Sequence, residues 1–204
     1  MGRTGLVEMN VGVLALQGDF REHLFALGEC GVTGKLVKTE SDIRNIDALI
    51  IPGGESTTIS KLANAFGLSD LISKRITEGM PTYGSCAGMI LVAKSIIDPA
   101  SDQETFGGID MEVRRNAFGR QTESFELDLD FKSISGAPIR GVFIRAPWVE
   151  SHGPGVEVLS SIEISGVTHP VAVRQGRVLA TAFHPELTGD NRVHRYFLEE
   201  VSKK

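Results

Sequence analysis

Cysteine is scarce: Cys30 and Cys86 are the only two in 204 residues. They are too few for a disulfide framework, and their number fits a reducing cytosol, so a cytoplasmic protein is expected. No apolar run approaches the roughly 20 residues of a membrane helix, so no membrane partner is expected. Basic charge is short as well. The 21 Lys and Arg against 26 Asp and Glu leave a formal charge of -5. That is the wrong sign for a nucleic-acid partner, because phosphate binding needs a basic face. The phosphate-loop pattern G-x-x-x-x-G-K-[ST] is absent. So are internal repeats, low-complexity tracts and any clear linker. The stretch before Val11 lacks the apolar centre of a signal peptide. Residues 1–8 read as a tag remnant or an extension, with Met9 as the natural beginning.

What is present suffices for a core. Hydrophobic residues make up 41% and charged residues 23%, a globular balance that suits one domain over residues 1–204. Val11 to Leu16 is a continuous apolar run, as in a strand buried on both faces. Phe20, His23, Leu24 and Leu27 then recur at helical spacing, with Gly28 and Gly31 closing the helix. Lys35 to Lys38 and Ala48 to Ile51 read as strands, Ser56 to Phe66 and Leu68 to Glu78 as helices. Pro81 to Gly84 leads into Gly84-Ser85-Cys86-Ala87-Gly88, and Met89 to Ala93 begins another helix. This alternation predicts an α/β fold with a doubly wound, mostly parallel sheet. The second half is strand-rich, at Ser124 to Phe131, Val142 to Ile144, Val156 to Leu159, Val171 to Arg174 and Val178 to Phe183. Short turns between these predict antiparallel strands added to the sheet. Ile97 to Gly108 reads as a loop and Arg192 to Val201 as a closing helix.

Three segments carry chemistry. In Gly84-Ser85-Cys86-Ala87-Gly88, small residues flank a cysteine between strand and helix, which is the nucleophile-elbow pattern with Cys in place of Ser. The turn projects the sulfur outward at a helix N-terminus, where the helix dipole favours thiolate. Cys30, between Glu29 and Gly31, has no such context and reads as packing. Of five histidines, His184 stands out, in Ala182-Phe183-His184-Pro185-Glu186 at a strand end, where sites form in open α/β sheets. Glu186 can return toward the imidazole and fix its tautomer. His23 reads as lying on a helix face and His194 on the last helix, while His152 and His169 fall in loop-like or strand-edge settings with no adjacent partner pattern; all four read as ordinary residues. Pro52-Gly53-Gly54-Glu55-Ser56-Thr57-Thr58 follows a buried strand. Its glycines can turn N–H groups toward a ligand as an oxyanion hole, and Ser56 can cap the next helix.

In this order the three segments resemble the class I (triad) glutamine amidotransferases. Within that family, the chain is most similar to the glutaminase subunits of pyridoxal 5'-phosphate synthase. The resemblance rests on Val11–Gly18, Gly53–Thr58, Cys86–Met89, Arg115–Gln121, Phe143–Pro147 and Phe183–Thr188, six blocks in register. It implies a flavodoxin-like sheet and hydrolysis of L-glutamine to L-glutamate and ammonia through a thioester on Cys86. His184 would be the base and Glu186 its orienting acid. Gly54, Glu55, Ser56, Arg115, Ile144 and Arg145 would line the glutamine pocket, with Arg115 on the α-carboxylate. N–H groups near Gly54 and Ala87 would hold the oxyanion. The resemblance also implies a synthase (lyase) subunit in a hetero-oligomeric complex that receives the ammonia, with the Gln17-Gly18 segment near that interface. Gln17 is expected to couple docking to activity, the alternative being that it caps the first turn of the next helix. It implies no cofactor and no metal. The departures are the N-terminal extension and the polar stretch Asp98 to Thr105, neither of which is expected to touch a matching motif. Two other classes compete: an elbow-cysteine hydrolase, against which the His184-Pro185-Glu186 and Arg115–Gln121 blocks speak, and a non-catalytic subunit, which would have lost one of the three reactive residues.

Overall fold

The computed structural model describes residues 9–97, 99, 103–118 and 124–203. Residues 1–8, and with them the question of an extension, lie outside that set, as do parts of the Asp98–Thr105 and Arg115–Gln121 segments. The first half runs β1 (Val11–Leu14), α1 (Phe20–Glu29), β2 (Lys35–Val37), α2 (Glu40–Arg44), β3 (Ala48–Ile51), α3 (Ser56–Ala65), α4 (Ser69–Thr77), β4 (Thr82–Ser85) and α5 (Ala87–Val92). The second half runs β5 (Ala93–Ile97), β6 (Ile109–Arg114), β7 (Ser124–Leu129), β8 (Ile139–Ile144), β9 (Trp148–His152), β10 (Glu157–Ile164), β11 (Val167–Gln175), β12 (Val178–Thr181) and α6 (Arg192–Tyr196). A wider helical turn, Phe197–Val201, extends α6.

The main sheet has the order β10-β11-β12-β4-β3-β1-β2. Strands β2, β1, β3, β4 and β12 are parallel, and β11 and β10 add antiparallel at one edge. The chain leaves β1 for β2 and then returns past β1 to β3. With right-handed crossovers, this reversal sends the connecting helices to opposite faces. Both faces of the central strands are therefore covered. All four residues of β1, β3, β4 and β12 are buried, each large apolar side chain contributing about 1.5–3 kcal/mol. Among the described residues, no helix is long and apolar enough to cross a membrane.

The expected sheet is present, with additions. The strands of the second half do not all join it: β5, β6 and β9 form one small sheet and β7 with β8 another. The helix expected from Met89 onward stops at Val92, and Ala93 turns directly into β5. A stretch buried at every position from Ala87 to Val92 has no amphipathic period from which to read its end. Gly28 lies inside α1, and the left-handed residue that closes it is Gly31, at φ 80°. Strand β6 was legible but unread: Ile109, Met111 and Val113 are buried while Asp110, Glu112 and Arg114 are less so, the period of a half-buried strand.

Candidate active site

Strand register sets the site. Ile51 pairs with Gly84, and Ser85 with Thr181, so β3, β4 and β12 end at one level. The segments that follow, Pro52–Glu55, Cys86 and Ala182–Glu186, converge at the carboxyl edge beside the reversal point.

Cys86 sits at φ 49°, ψ -99°, which costs a non-glycine residue on the order of 1–3 kcal/mol. The surroundings enforce it. Its N–H donates to the Thr181 carbonyl at 2.8 Å. A β-carbon on Gly84 would run into the Gly88 backbone, and one on Gly88 into the Ile51 carbonyl. Only glycine at both positions lets β3, β4 and the start of α5 approach this closely. The thiol is thereby held at the first turn of α5, with Sγ 3.9 Å from the Ile144 carbonyl oxygen.

His184 follows β12, and its own N–H donates to the Val142 carbonyl at 2.9 Å. Its ring is buried. Nδ1 lies 2.8 Å from Glu186 Oε1 and 3.5 Å from Asp19 Oδ2. Burial by itself would favour the neutral imidazole. Hydrogen bonds to Cys86 and then Glu186, and the charges of both, outweigh it and raise its pKa to about 11. Glu186 is enclosed, and the Ser85 hydroxyl donates to its two oxygens at 3.2 and 3.1 Å. Burial opposes its charge, but His23 and His184 more than compensate and hold the carboxyl well below the usual range. Burial, with Glu186 and Glu22 nearby, pushes Asp19 up, and the charge of His184 works against this. Asp19, His184 and Glu186 are the only group of metal-ligating side chains that cluster among the described residues. Its shortest separation is the imidazole–carboxylate hydrogen bond, so the set reads as acid–base machinery.

Beside Cys86 lies the Gly53-Gly54 turn. A β-carbon on Gly53 would press the His184 ring, and one on Gly54 would lie 2.6 Å from Gln17 Oε1. Gly54 also has φ 142°, a conformation open to glycine. The Gly53 carbonyl accepts from the Asp19 N–H at 3.1 Å, and Gln17 Oε1 accepts from the Glu55 N–H at 2.7 Å. Gln17 thus holds the loop after β3 rather than capping α1. The helix cap differs from expectation too. Glu55, not Ser56, is the N-cap of α3, its carboxylate accepting from the Thr57 N–H at 3.4 Å. Ser56 is already inside the helix and buried, and its hydroxyl accepts from Gln103 Nε2 at 2.9 Å.

Arg115 parts from Arg114. Arg114 pairs with Glu150, whereas Arg115 sends Nη2 to Glu55 Oε1 at 3.2 Å and Nη1 to Gln103 Oε1 at 2.9 Å. The polar stretch expected to leave the motifs alone therefore reaches them. Gln103 binds Arg115, Ser56 and Thr57, and Glu104 binds Ser60 and Asn64. Composition could not reveal this, because the contacts span 12 to 47 residues of chain. Arg145 is exposed at φ 43° with no ion pair among the described residues. Ile144, beside it, is 40% exposed despite its apolar side chain.

Cys86, His184 and Glu186 are thus brought together, with Gly54, Glu55, Ser56 and Arg115 around one loop and Ile144 against the thiol. Sequence reasoning missed Asp19, His23, Ser85, Gln103 and His194. His23 had left one signal: it falls in the apolar stripe of α1, and it is fully buried. Cys30 is buried as expected.

A model of the SNO glutamine amidotransferase family matches residues 13–203. "Pyridoxal 5'-phosphate synthase subunit PdxT" of Streptomyces coelicolor is 59% identical over 191 residues, covering 94% of this chain and 93% of its own. The protein of that name from an Arthrobacter species is 55% identical over 217 residues, covering 95% and 92%. A solved structure described as a glutamine amidotransferase superposes with a TM-score of 0.85 at 51% identity, covering 94% of this chain and 98% of its own. The structure of PurLQS from Thermotoga maritima shares the fold, with a TM-score of 0.68 at 16% identity.

Proposed function

The chain belongs to the SNO glutamine amidotransferase family, and from that premise we propose how its residues act as the glutaminase subunit of a pyridoxal 5'-phosphate synthase. The observation that carries the reading is the Cys86–His184–Glu186 row, with the thiol at a strained elbow and the imidazole held by a buried carboxylate. Cys86 Sγ attacks the carboxamide carbon of L-glutamine. Backbone N–H groups of Gly54 and Ala87 receive the oxyanion; Ala87 opens α5, where N–H groups have no intrahelical acceptor. His184 gives its proton to the leaving nitrogen, and ammonia departs. Water, deprotonated by His184, attacks the thioester and releases L-glutamate and the thiol. Glu186 keeps Nδ1 of His184 engaged, so that Nε2 serves the reacting atoms.

Arg115 is the α-carboxylate partner in this reading, with Glu55, Ser56, Ile144 and Arg145 completing the pocket. Its guanidinium already makes a forked contact with Glu55 and Gln103. Arg115→Lys keeps the charge and loses the planar fork, so KM for glutamine is expected to rise about tenfold or more with kcat far less changed. Unchanged saturation by glutamine would remove Arg115 from this role.

The ammonia is used by a synthase (lyase) subunit with which the chain forms a hetero-oligomeric complex. Neither nucleic acid nor membrane belongs to this reading. A cytoplasmic location fits the two free cysteines. The test is glutaminase rate against added synthase subunit, for wild type and Gln17→Ala. Low activity alone and a rise on docking are expected of the wild type. Gln17 Oε1 holds the Glu55 amide next to the oxyanion-hole glycine, so Gln17→Ala should stay folded and lose much of the rise. Full activity of the isolated wild-type chain, unmoved by the partner, would refute the coupling.

A further inference from the structure

Two histidines outside this scheme stand directly behind it. His23, in the first turn of α1, and His194, in α6, are both fully buried. Their rings meet across 171 residues of chain, with His23 Nδ1 2.9 Å from His194 Nε2. The other edge of His23 faces the triad: Nε2 lies 3.4 Å from Glu186 Oε1. That same oxygen is the one 2.8 Å from His184 Nδ1. The result is a buried row, His184–Glu186–His23–His194, drawn from the segment after β12, from α1 and from α6. Well-packed apolar side chains would stabilise this part of the core as well or better. One polar ring facing a buried carboxylate, with a second ring bonded behind it, therefore points to a role other than packing.

The row is firm at one joint and open at the next. The His23–His194 contact is a short hydrogen bond, and Tyr83 packs edge-on against both rings, at 6.0 and 5.8 Å between centroids. The His23–Glu186 contact falls short of a full hydrogen bond, and Nε2 of His23 has no other partner among the described residues. Burial, then the charge of His23, holds His194 down to about 3, so it stays neutral. A neutral imidazole can donate or accept. His194 can thus serve His23 Nδ1 in either state while the Nε2 edge keeps facing Glu186.

We propose that His23 and His194 are positioning residues for glutamine hydrolysis: His194 fixes the His23 ring, and His23 braces the Glu186 carboxylate on the oxygen that aims His184. The inference rests on the glutaminase reading above. The titratable groups around the carboxylate are His23 and, near it, Asp19 and Glu22 from the α1 end, Tyr83 and Cys86 from β4 and the elbow, His184, and His194 from α6. Ser85 adds only a neutral hydroxyl. Burial opposes the charge on Glu186, and His23 is the foremost group that favours it. Removing His23 should let Glu186 take up a proton at higher pH.

The experiment uses the full chain with its synthase subunit and measures kcat, KM and the pH profile of glutaminase activity. For His23→Leu, kcat is expected to fall about tenfold with KM unchanged, and the acid limb of kcat/KM to move up by about one pH unit, the scale of losing one favourable neighbour. His23→Gln keeps an N–H within reach of Glu186 and should recover most of kcat. His194→Leu should show a smaller loss of the same kind. If His23→Leu does not fold, His23→Asn replaces it, being polar but too short to reach the carboxylate. An unmoved acid limb, or equal losses in the Gln and Leu variants, would reduce His23 to packing and overturn the inference. An inactive wild-type complex would overturn the underlying reading and this inference with it, whereas an active wild type with a normal His23→Leu overturns the inference alone.

Discussion

Replacing Cys86 with alanine is expected to abolish glutamine hydrolysis while leaving the fold nearly as stable. The loss in kcat should be on the order of 10^5-fold or more, because no later step proceeds without the thioester. Stability should change by no more than about 1 kcal/mol, or a few degrees in Tm for a chain of this size. The reason is local. The strained backbone is imposed by the Gly84 and Gly88 contacts and by the bond to Thr181, none of which involves the sulfur. An α-diazoketone analogue of glutamine should label Cys86 and spare Cys30. Cys30 is buried against α6 with its sulfur 3.9 Å from the Asn191 carbonyl. Burial raises its pKa, and Glu199 and Glu29 add to the rise against the effect of Arg195. A protonated, enclosed thiol is a poor nucleophile. Peptide mass mapping after labelling decides the matter, and label on Cys30 alone would transfer the nucleophile's role away from the elbow.

His184→Asn should remove nearly all activity, by a factor comparable to Cys86→Ala, since in the proposed mechanism the same ring serves both proton transfers. Glu186→Gln should cost less, on the order of 10^4-fold. Asp19 Oδ2 lies 3.5 Å from His184 Nδ1 and offers a fallback acceptor. The pH dependence follows from the two shifts. His184 is raised to about 11, so its contribution to stability is complete below its unfolded value near 6.5 and is lost as pH climbs through about 11. Glu186 is depressed, so its contribution is present above its unfolded value near 4.3 and is lost as pH falls toward its folded value. Glu186→Gln removes one support of the imidazolium. The alkaline limb of kcat/KM should therefore move to lower pH. Wild-type turnover in His184→Asn would exclude the triad. An unshifted alkaline limb in Glu186→Gln would mean that Glu186 does not set the state of His184.

The elements that built the site were legible for identifiable reasons. Val11–Leu14 and Ala48–Ile51 are short, apolar and bounded by breakers, so buried parallel strands were readable. The elbow was readable because Gly84, Cys86 and Gly88 fall at the spacing that a strand–turn–helix requires. His184 and Glu186 are two residues apart, a separation at which local geometry alone can pair them. What could not be read were relations between distant segments. Gln17 bonds Glu55, Gln103 bonds Arg115 and Ser56, and His23 bonds His194. None of these pairs has a sequence period or a shared motif.

By itself, then, the sequence determined the alternation of strands and helices, the parallel sheet and the residues proposed as nucleophile, base and acid, because each depends on periodicity or on residues a few positions apart. The tertiary structure decided which side chains surround them. Sheet register and crossover handedness brought α1 and α6 together behind Glu186, and carried Gln103 to the pocket. Contacts across 171 residues of chain are fixed by packing of whole elements, and no local rule of spacing encodes them.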